Sequence, residues 1–243
     1  MTKPGKRALI CGSVAFDTIM VFQDRFKNHI LPDKIHLLNV SFLVPQLRRE
    51  FGGCAGNIAY NLCLLGDEGL PMATVGRDFA QYEDWMKQAG VPMDHIRRVE
   101  TEHTAQGFVT TDLDDNQIWA FHPGAMQQSH LNRVSEARDI DIGIVAPDGR
   151  EGMIEHAAQF AAAGIPFIFD PGQGLPMFSG DDLRAFIKQA RWVAVNDYEW
   201  QVVQERTKLS AADIASQVEA LIVTRGAEGS VIYTKGQEYR IPS

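Results

Sequence analysis

The sequence predicts an α/β fold, a doubly wound and mostly parallel sheet with a small β-sheet lid. Three observations carry that expectation. In the C-terminal half, four runs, "IDIGIVAP" (140–147), "IPFIFDPG" (165–172), "RWVAVND" (191–197) and "ALIVTRG" (220–226), are too continuously apolar to keep a wet face. Between them, "REGMIEHAAQFAAAG" (150–164), "DDLRAFIKQA" (181–190) and "YEWQVVQER" (198–206) show helical spacing, so strands and helices alternate. The N-terminal half instead offers strand-like runs without a strong intervening helix.

In chain order, "KRALICGSVAF" begins with a buried strand over residues 8–13. Its charges and apolar run resemble a signal peptide, but the run is short and Asp17 follows at once. "DTIMVFQ", "KIHLLNVS" and "FLVPQLRREF" come next, and a second pair, "TAQGFVTTDL" and "NQIWAFHPG", flanks an acidic turn at 112–116. These runs predict a small antiparallel sheet set apart from the core. The expected division is a core of 1–13, 51–103 and 125–243 and a lid of 14–50 and 104–124. After the last core strand, "GSVIYTKGQEYRI" predicts a hairpin around Lys235-Gly236.

With 45% hydrophobic and 22% charged residues, the chain has ample material for a core. A formal net charge of −8 disfavours a nucleic-acid partner, although a local nest of N–H groups can still hold a small anion. The three cysteines, Cys11, Cys54 and Cys63, form no C-x-x-C and fit a reducing compartment, so the expected location is the cytoplasm. Cys54 reads as a small filler in a Gly-rich turn. No apolar stretch approaches the roughly 20 residues of a membrane span.

Absent motifs narrow the chemistry. "CGSVAFD" after the first strand is not G-x-G-x-x-G, and there is no P-loop, no G-x-S-x-G and no zinc spacing among the seven histidines. Four positive signals remain. Asp17 lies just past the carboxyl end of the first strand, where open α/β sheets bind ligands; it is either a polar turn residue or an acceptor for two sugar hydroxyls. In "REFGGCAGNIAYNLCLLG" (49–66), Gly52 and Gly53 precede a helix with Asn57 in its first turn. That arrangement suits a tight turn with Asn57 near the cap, or a backbone that a ligand approaches closely. Asn196 and Glu199 stand three apart at a helix start, as a capping box does and as a pair holding hydrated Mg²⁺ would. "VTRGAEG" (223–229) places Thr224, Gly226 and Gly229 after a strand, for a nucleotide or for a hairpin turn.

Together these segments resemble the ribokinase-like (PfkB-type) carbohydrate and nucleoside kinases. "GG-C-A-G-N-I-A" with Gly66 and Gly76 resembles that family's first signature, Asn196–Glu199 its N-x-x-E motif, and Thr224-Arg225-Gly226 with Gly229 its T-x-G-x-x-G nucleotide segment. The resemblance implies that Asp17 and Asn57 hold substrate hydroxyls, that Gly52 and Gly53 form the lid hinge, and that Asn196 and Glu199 order the water shell of Mg²⁺. It further implies that Thr224, Gly226 and Gly229 contact ATP, and that the closed lid excludes water. A monovalent cation such as K⁺ and a homodimer formed through the lid are further expectations of the same resemblance. The family's second signature, a G-x-G-D segment whose Asp is the base and whose helix start forms the anion hole, is not found; the sequence ends at Arg240-Ile241-Pro242-Ser243. The base is therefore expected beyond Ser243. Asp170 and Asp197 lack the Gly-rich helix start that phosphoryl transfer needs.

Three features lean toward a nucleoside as acceptor: Phe16 beside Asp17, Met126 after "HPGA", and the apolar "FLVP" of the lid, all suited to a flat base. Within the family, sugar-specific members often carry Asn near the Met126 position, so Met126 resembles adenosine-kinase-like members. Gln173 in "DPGQG" has hydrogen-bonding groups for a base or a sugar, and Phe16 and Met126 suit core packing equally well. The resulting expectation is an ATP- and Mg²⁺-dependent kinase acting on a nucleoside 5′-hydroxyl, adenosine first. The alternatives are a ribokinase- or fructokinase-type sugar kinase and a non-catalytic nucleoside- or sugar-binding protein.

Overall fold

The structure is a computed structural model and describes residues 6–30 and 39–243. Its main sheet is built outward from β1 (Arg7–Cys11), which pairs in parallel with β4 (Glu68–Gly76) on one side and β8 (Ile142–Val145) on the other. Beyond β4 lies β5 (Ile96–Val99). Beyond β8 come β9 (Phe167–Phe169), β10 (Trp192–Asn196) and β11 (Ala220–Thr224), all parallel. The antiparallel hairpin β12 (Ser230–Thr234) and β13 (Gln237–Ile241) completes nine strands, with the expected turn at Lys235-Gly236.

Both faces of this sheet are covered, which explains the continuous apolar runs. Alternation along β1 sends Leu9 and Cys11 into one core and Ile10 into the other. The first core packs α3 (Arg150–Ala163), α4 (Gly180–Gln189), α5 (Asp197–Thr207) and α6 (Ala211–Gln217) through Phe160, Phe186, Val203 and Ile214. Phe169 and Phe186 stack with centroids 4.3 Å apart, a geometry worth about 1 kcal/mol beyond area burial. The second core packs α1 (Cys54–Leu65) and α2 (Ala80–Ala89) through Ala55, Ala59, Tyr82 and Met86.

A second sheet of four strands has the order β3 (Gln46–Gly52), β2 (Ala15–Val21), β6 (Ala105–Thr111), β7 (Gln117–His122). It is mixed rather than antiparallel: β2 and β6 run in parallel because both leave the core sheet in the same direction. The hairpins β2–β3 and β6–β7 supply the antiparallel pairs that the sequence suggests. "FLVP" is not strand; β3 begins only at Gln46. Most of "KIHLLNVS" lies outside the described residues. The acidic turn is ordered by Asp112, whose carboxylate accepts the N–H groups of Phe26, Asp114 and Asn116.

Candidate active site

Strands leave β1 in two directions, so a crevice opens at the carboxyl ends of β1 and its neighbours. Ser13, just past β1, fixes the start of α1: its carbonyl accepts the Ala55 N–H at 2.9 Å and its hydroxyl accepts the Cys54 N–H at 3.2 Å. Those two N–H groups are consequently taken and do not face a ligand. Gly53 adopts φ +87°, and an ideal Cβ there would lie 2.6 Å from the Ala15 backbone nitrogen, so only glycine fits this turn. Asn57 follows on the exposed side of the first turn.

Asp17 sits on β2 and is bracketed by two glycines. An added Cβ on Gly107 of β6 would fall 2.6 Å from its Oδ1, and one on Gly52 of β3 would collide with its Oδ2. None of the hydrogen bonds among the described residues ends on this carboxylate, and burial pushes its pKa above the ordinary carboxylate value. Gly52 thus makes room for a carboxylate, a role that the glycine pair alone does not reveal.

Further along the edge, Cys54 lies within reach of the charges of Asp170, Asp148 and Asp17. Burial first, and these carboxylates second, push its thiol up to about 11, which keeps it protonated and agrees with a filler role. Asp170, at the end of β9, is raised to about 6 by burial and by the negative charge of Glu199. Glu199 and Asn196 form a full capping box: Asn196 Oδ1 accepts the Glu199 N–H at 2.7 Å, and Glu199 Oε2 accepts the Asn196 N–H at 2.8 Å. Asn196 is also the register partner of Thr224 across β10 and β11. Gly226 and Gly229 shape the turn into β12 with φ +53° and +83°, so the segment is a hairpin turn at the sheet edge. Asp17, Cys54, Asp170, Glu199, Asn196 and Thr224 accordingly line one edge.

Among the described residues no group of three His, Cys, Asp or Glu side chains is spaced to hold a bare metal ion. Two carboxylates that repel each other, Asp170 and Glu199, nonetheless fit a divalent cation held through its own waters.

Phe16 corrects the sequence expectation. It alternates with Asp17 along β2 and points to the opposite face, fully buried against Tyr82 at 5.6 Å and Phe51 at 6.1 Å between centroids. It is a core residue. Met126 lies half-buried in the 3-10 segment Gly124–Leu131, and Gln173 is exposed in the 3-10 segment Gly172–Met177. The aromatic residues on the Asp17 face are instead Trp119 and Phe121 of β7, 55% and 53% exposed. Phe121 is opposite Gly107 in register, and Trp119 Cζ3 lies 3.2 Å from where a Gly107 Cβ would stand. Their alternation in "NQIWAFH" was the available signal. No helix among the described residues is long and apolar enough to cross a membrane.

The doubly wound sheet, its β lid and the edge between them define a ribokinase-like α/β protein. Residues 13–243 match the pfkB family of carbohydrate kinases, and the chain belongs to that family of phosphotransferases with an alcohol group as acceptor. A solved structure of Burkholderia thailandensis nucleoside kinase in complex with inosine is 51% identical, with a TM-score of 0.87 over 97% of this chain and 75% of that one. The same enzyme in complex with ADP-inosine gives a TM-score of 0.84 at 54% identity, over 97% of this chain and 74% of that one. Among sequence relatives, a nucleoside kinase of Methanocaldococcus jannaschii is 31% identical over 207 residues, 84% of this chain and 68% of its own length.

Proposed function

We propose that the protein is an ATP-dependent nucleoside kinase that transfers the γ-phosphate to the 5′-hydroxyl, with adenosine as the specific acceptor we favour. The carrying observation is the Asp17 carboxylate, held between Gly52 and Gly107 with both oxygens unclaimed by the described residues. Two vicinal ribose hydroxyls match two free carboxylate oxygens, and such charge-assisted bonds are worth about twice neutral ones. Asn57, exposed in the first turn of α1, would supply a second polar contact, with Gly52-Gly53 as the lid hinge. Trp119 and Phe121 offer flat apolar surfaces for a base, and Met126 and Gln173, in the 3-10 segments Gly124–Leu131 and Gly172–Met177, would add contacts to the acceptor.

ATP is read onto the Thr224, Gly226 and Gly229 turn, beside Asn196. Mg²⁺, when bound, supplies neutralisation of phosphate charge; Glu199 and Asn196 would order its waters, with Asp170 adjacent. No described residue is assigned to a monovalent cation or to the base that takes the acceptor's proton. The complexes of the Burkholderia enzyme with inosine and with ADP-inosine support the substrate class and an adenine nucleotide, and leave adenosine as our own reading. The lid homodimer is retained as part of the proposal, since β7 is an edge strand exposed along its length. ADP release measured with adenosine, inosine, ribose and fructose tests the reading: nucleosides should outrun both free sugars, and a preference for a free sugar would overturn it.

A further inference from the structure

We propose that Asp78 is the positioning residue of the lid, a core carboxylate that grips the strands on both sides of the one carrying Asp17. Asp78 belongs to the core, in the turn between β4 and α2. Its Oδ1 accepts the backbone N–H of Thr104 at 2.7 Å, at the root of β6, and its Oδ2 accepts the side-chain amide of Gln106 on β6 at 2.9 Å. From the other side, Arg49 of β3 brings Nη2 to 3.8 Å from the same Oδ2. In register, Gln106 is opposite Phe16 and Arg49 is opposite Thr18, so these partners flank β2 at the level of Asp17.

The surrounding contacts keep this carboxylate charged and aimed. Arg77 Nη2 lies 2.7 Å from His103 Nε2; because the guanidinium only donates, the imidazole proton sits on Nδ1, which faces Asp78 Oδ2 at 3.5 Å. Thr104 is fully buried, and its hydroxyl accepts the Gly76 N–H at 3.0 Å, so the root of β6 is stitched to the core twice. The Arg49 guanidinium also lies 3.6 Å from the Phe16 ring centroid, on the face of β2 away from Asp17. Burial opposes ionisation of Asp78, but the donors from Thr104 and His103 outweigh it and hold its pKa below the ordinary value.

The arrangement has a functional consequence that rests on the nucleoside reading above. Among the described residues no hydrogen bond fixes the Asp17 carboxylate, and its place over the crevice is set by where β2 lies. β2 in turn is sandwiched between β3 and β6; the core Tyr82 hydroxyl also holds β3, donating to the Gly52 carbonyl at 2.8 Å, whereas Asp78 reaches both flanking strands. Loss of Asp78 would let the lid strands ride away from the core edge, moving Asp17 while leaving the β10–β11 edge as it is.

The test uses Asp78→Ala, with Asp78→Asn and Gln106→Leu as milder variants should the alanine variant fail to fold. Amide hydrogen exchange should show protection across β3 and β6 falling at least 10-fold, with β8 to β11 unchanged. Adenosine affinity by calorimetry should fall at least 10-fold, while ADP affinity stays within 2-fold. A merely structural role would move both affinities or neither, and would loosen the core along with the lid. Unchanged lid protection, or equal losses for adenosine and ADP, would overturn the proposal. If the wild-type chain binds no nucleoside, the functional reading falls, and the exchange pattern still decides whether Asp78 positions the lid.

Discussion

Gly107 stands opposite Asp17 in the lid sheet, and Asp17 Oδ1 fills the space where a side chain on Gly107 would begin, 2.6 Å from an ideal Cβ. Gly107 has no unusual backbone conformation among the positive-φ positions, so steric room for the carboxylate is its requirement. Gly107→Ala should therefore displace Asp17 without disturbing the strand. Overpacking of this kind costs about 1–3 kcal/mol. That is a cost to the fold; the affinity loss comes from the charged hydrogen bonds that a displaced carboxylate no longer makes, about 1.5 kcal/mol or more, so adenosine affinity should drop about 10-fold or more. Calorimetry on the variant checks this; wild-type affinity would show that the carboxylate position is not what binds.

Asp148 predicts a pH dependence of stability. It is buried, its Oδ1 accepts the Gly149 N–H at 2.9 Å, and its Oδ2 has no partner among the described residues. Burial pushes its pKa from 3.8 up to about 8. A folded value above the unfolded one means stability that is fully present below the unfolded value and lost as pH rises through the folded one. Asp148→Asn keeps the acceptor for Gly149 and cannot titrate. Denaturant unfolding at about pH 5 and about pH 9 should thus show the wild type losing ground to the variant as pH rises. Parallel curves for the two proteins would contradict the buried-carboxyl account.

Glu199 has two separable roles. As a capping-box partner it stabilises the start of α5, by about 1 kcal/mol, and glutamine retains most of that because its carbonyl can accept the same N–H. As a charge it raises Asp170 and would order a hydrated Mg²⁺. Glu199→Gln should then cost little in melting temperature, lower the Asp170 pKa from about 6, and raise the Mg²⁺ concentration needed for half-maximal turnover. Carboxyl NMR and a metal titration read the last two. An unmoved Asp170 would dissociate the pair.

Much of this was legible in the sequence, for physical reasons that differ by residue. The parallel core was readable because strands buried on both faces, such as "ALIVT", cannot alternate. The capping box at Asn196 was readable because its chemistry is local. The equivalent boxes at Ser179–Asp182 and Ser210–Asp213 carry the same local signal; the second opens α6, a helix too short for its apolar period to stand out. The parallel β2–β6 pairing was not readable, because strand direction depends on contacts 90 residues apart, such as Asp17 with Gly107. Phe16 was misplaced for a related reason: adjacency to Asp17 in sequence puts it on the opposite face of the strand. Asp78 was invisible for want of any motif; its partners at 49, 103, 104 and 106 meet only in the fold.

The central claim is that the Asp17 carboxylate holds the hydroxyls of a nucleoside. Burial raises its pKa, so the ionised form is slightly costly to the fold at neutral pH, and Asp17→Asn should melt no lower than the wild type. Losing charged hydrogen bonds costs about 1.5–3 kcal/mol, or about 10- to 100-fold in affinity. The decisive measurement is a calorimetric titration of adenosine into the wild-type protein and into Asp17→Asn at neutral pH. The account predicts one site in the wild type and at least 10-fold weaker binding in the variant, with melting temperature preserved. Equal affinities in the two proteins, or no adenosine binding by the wild type, would contradict it.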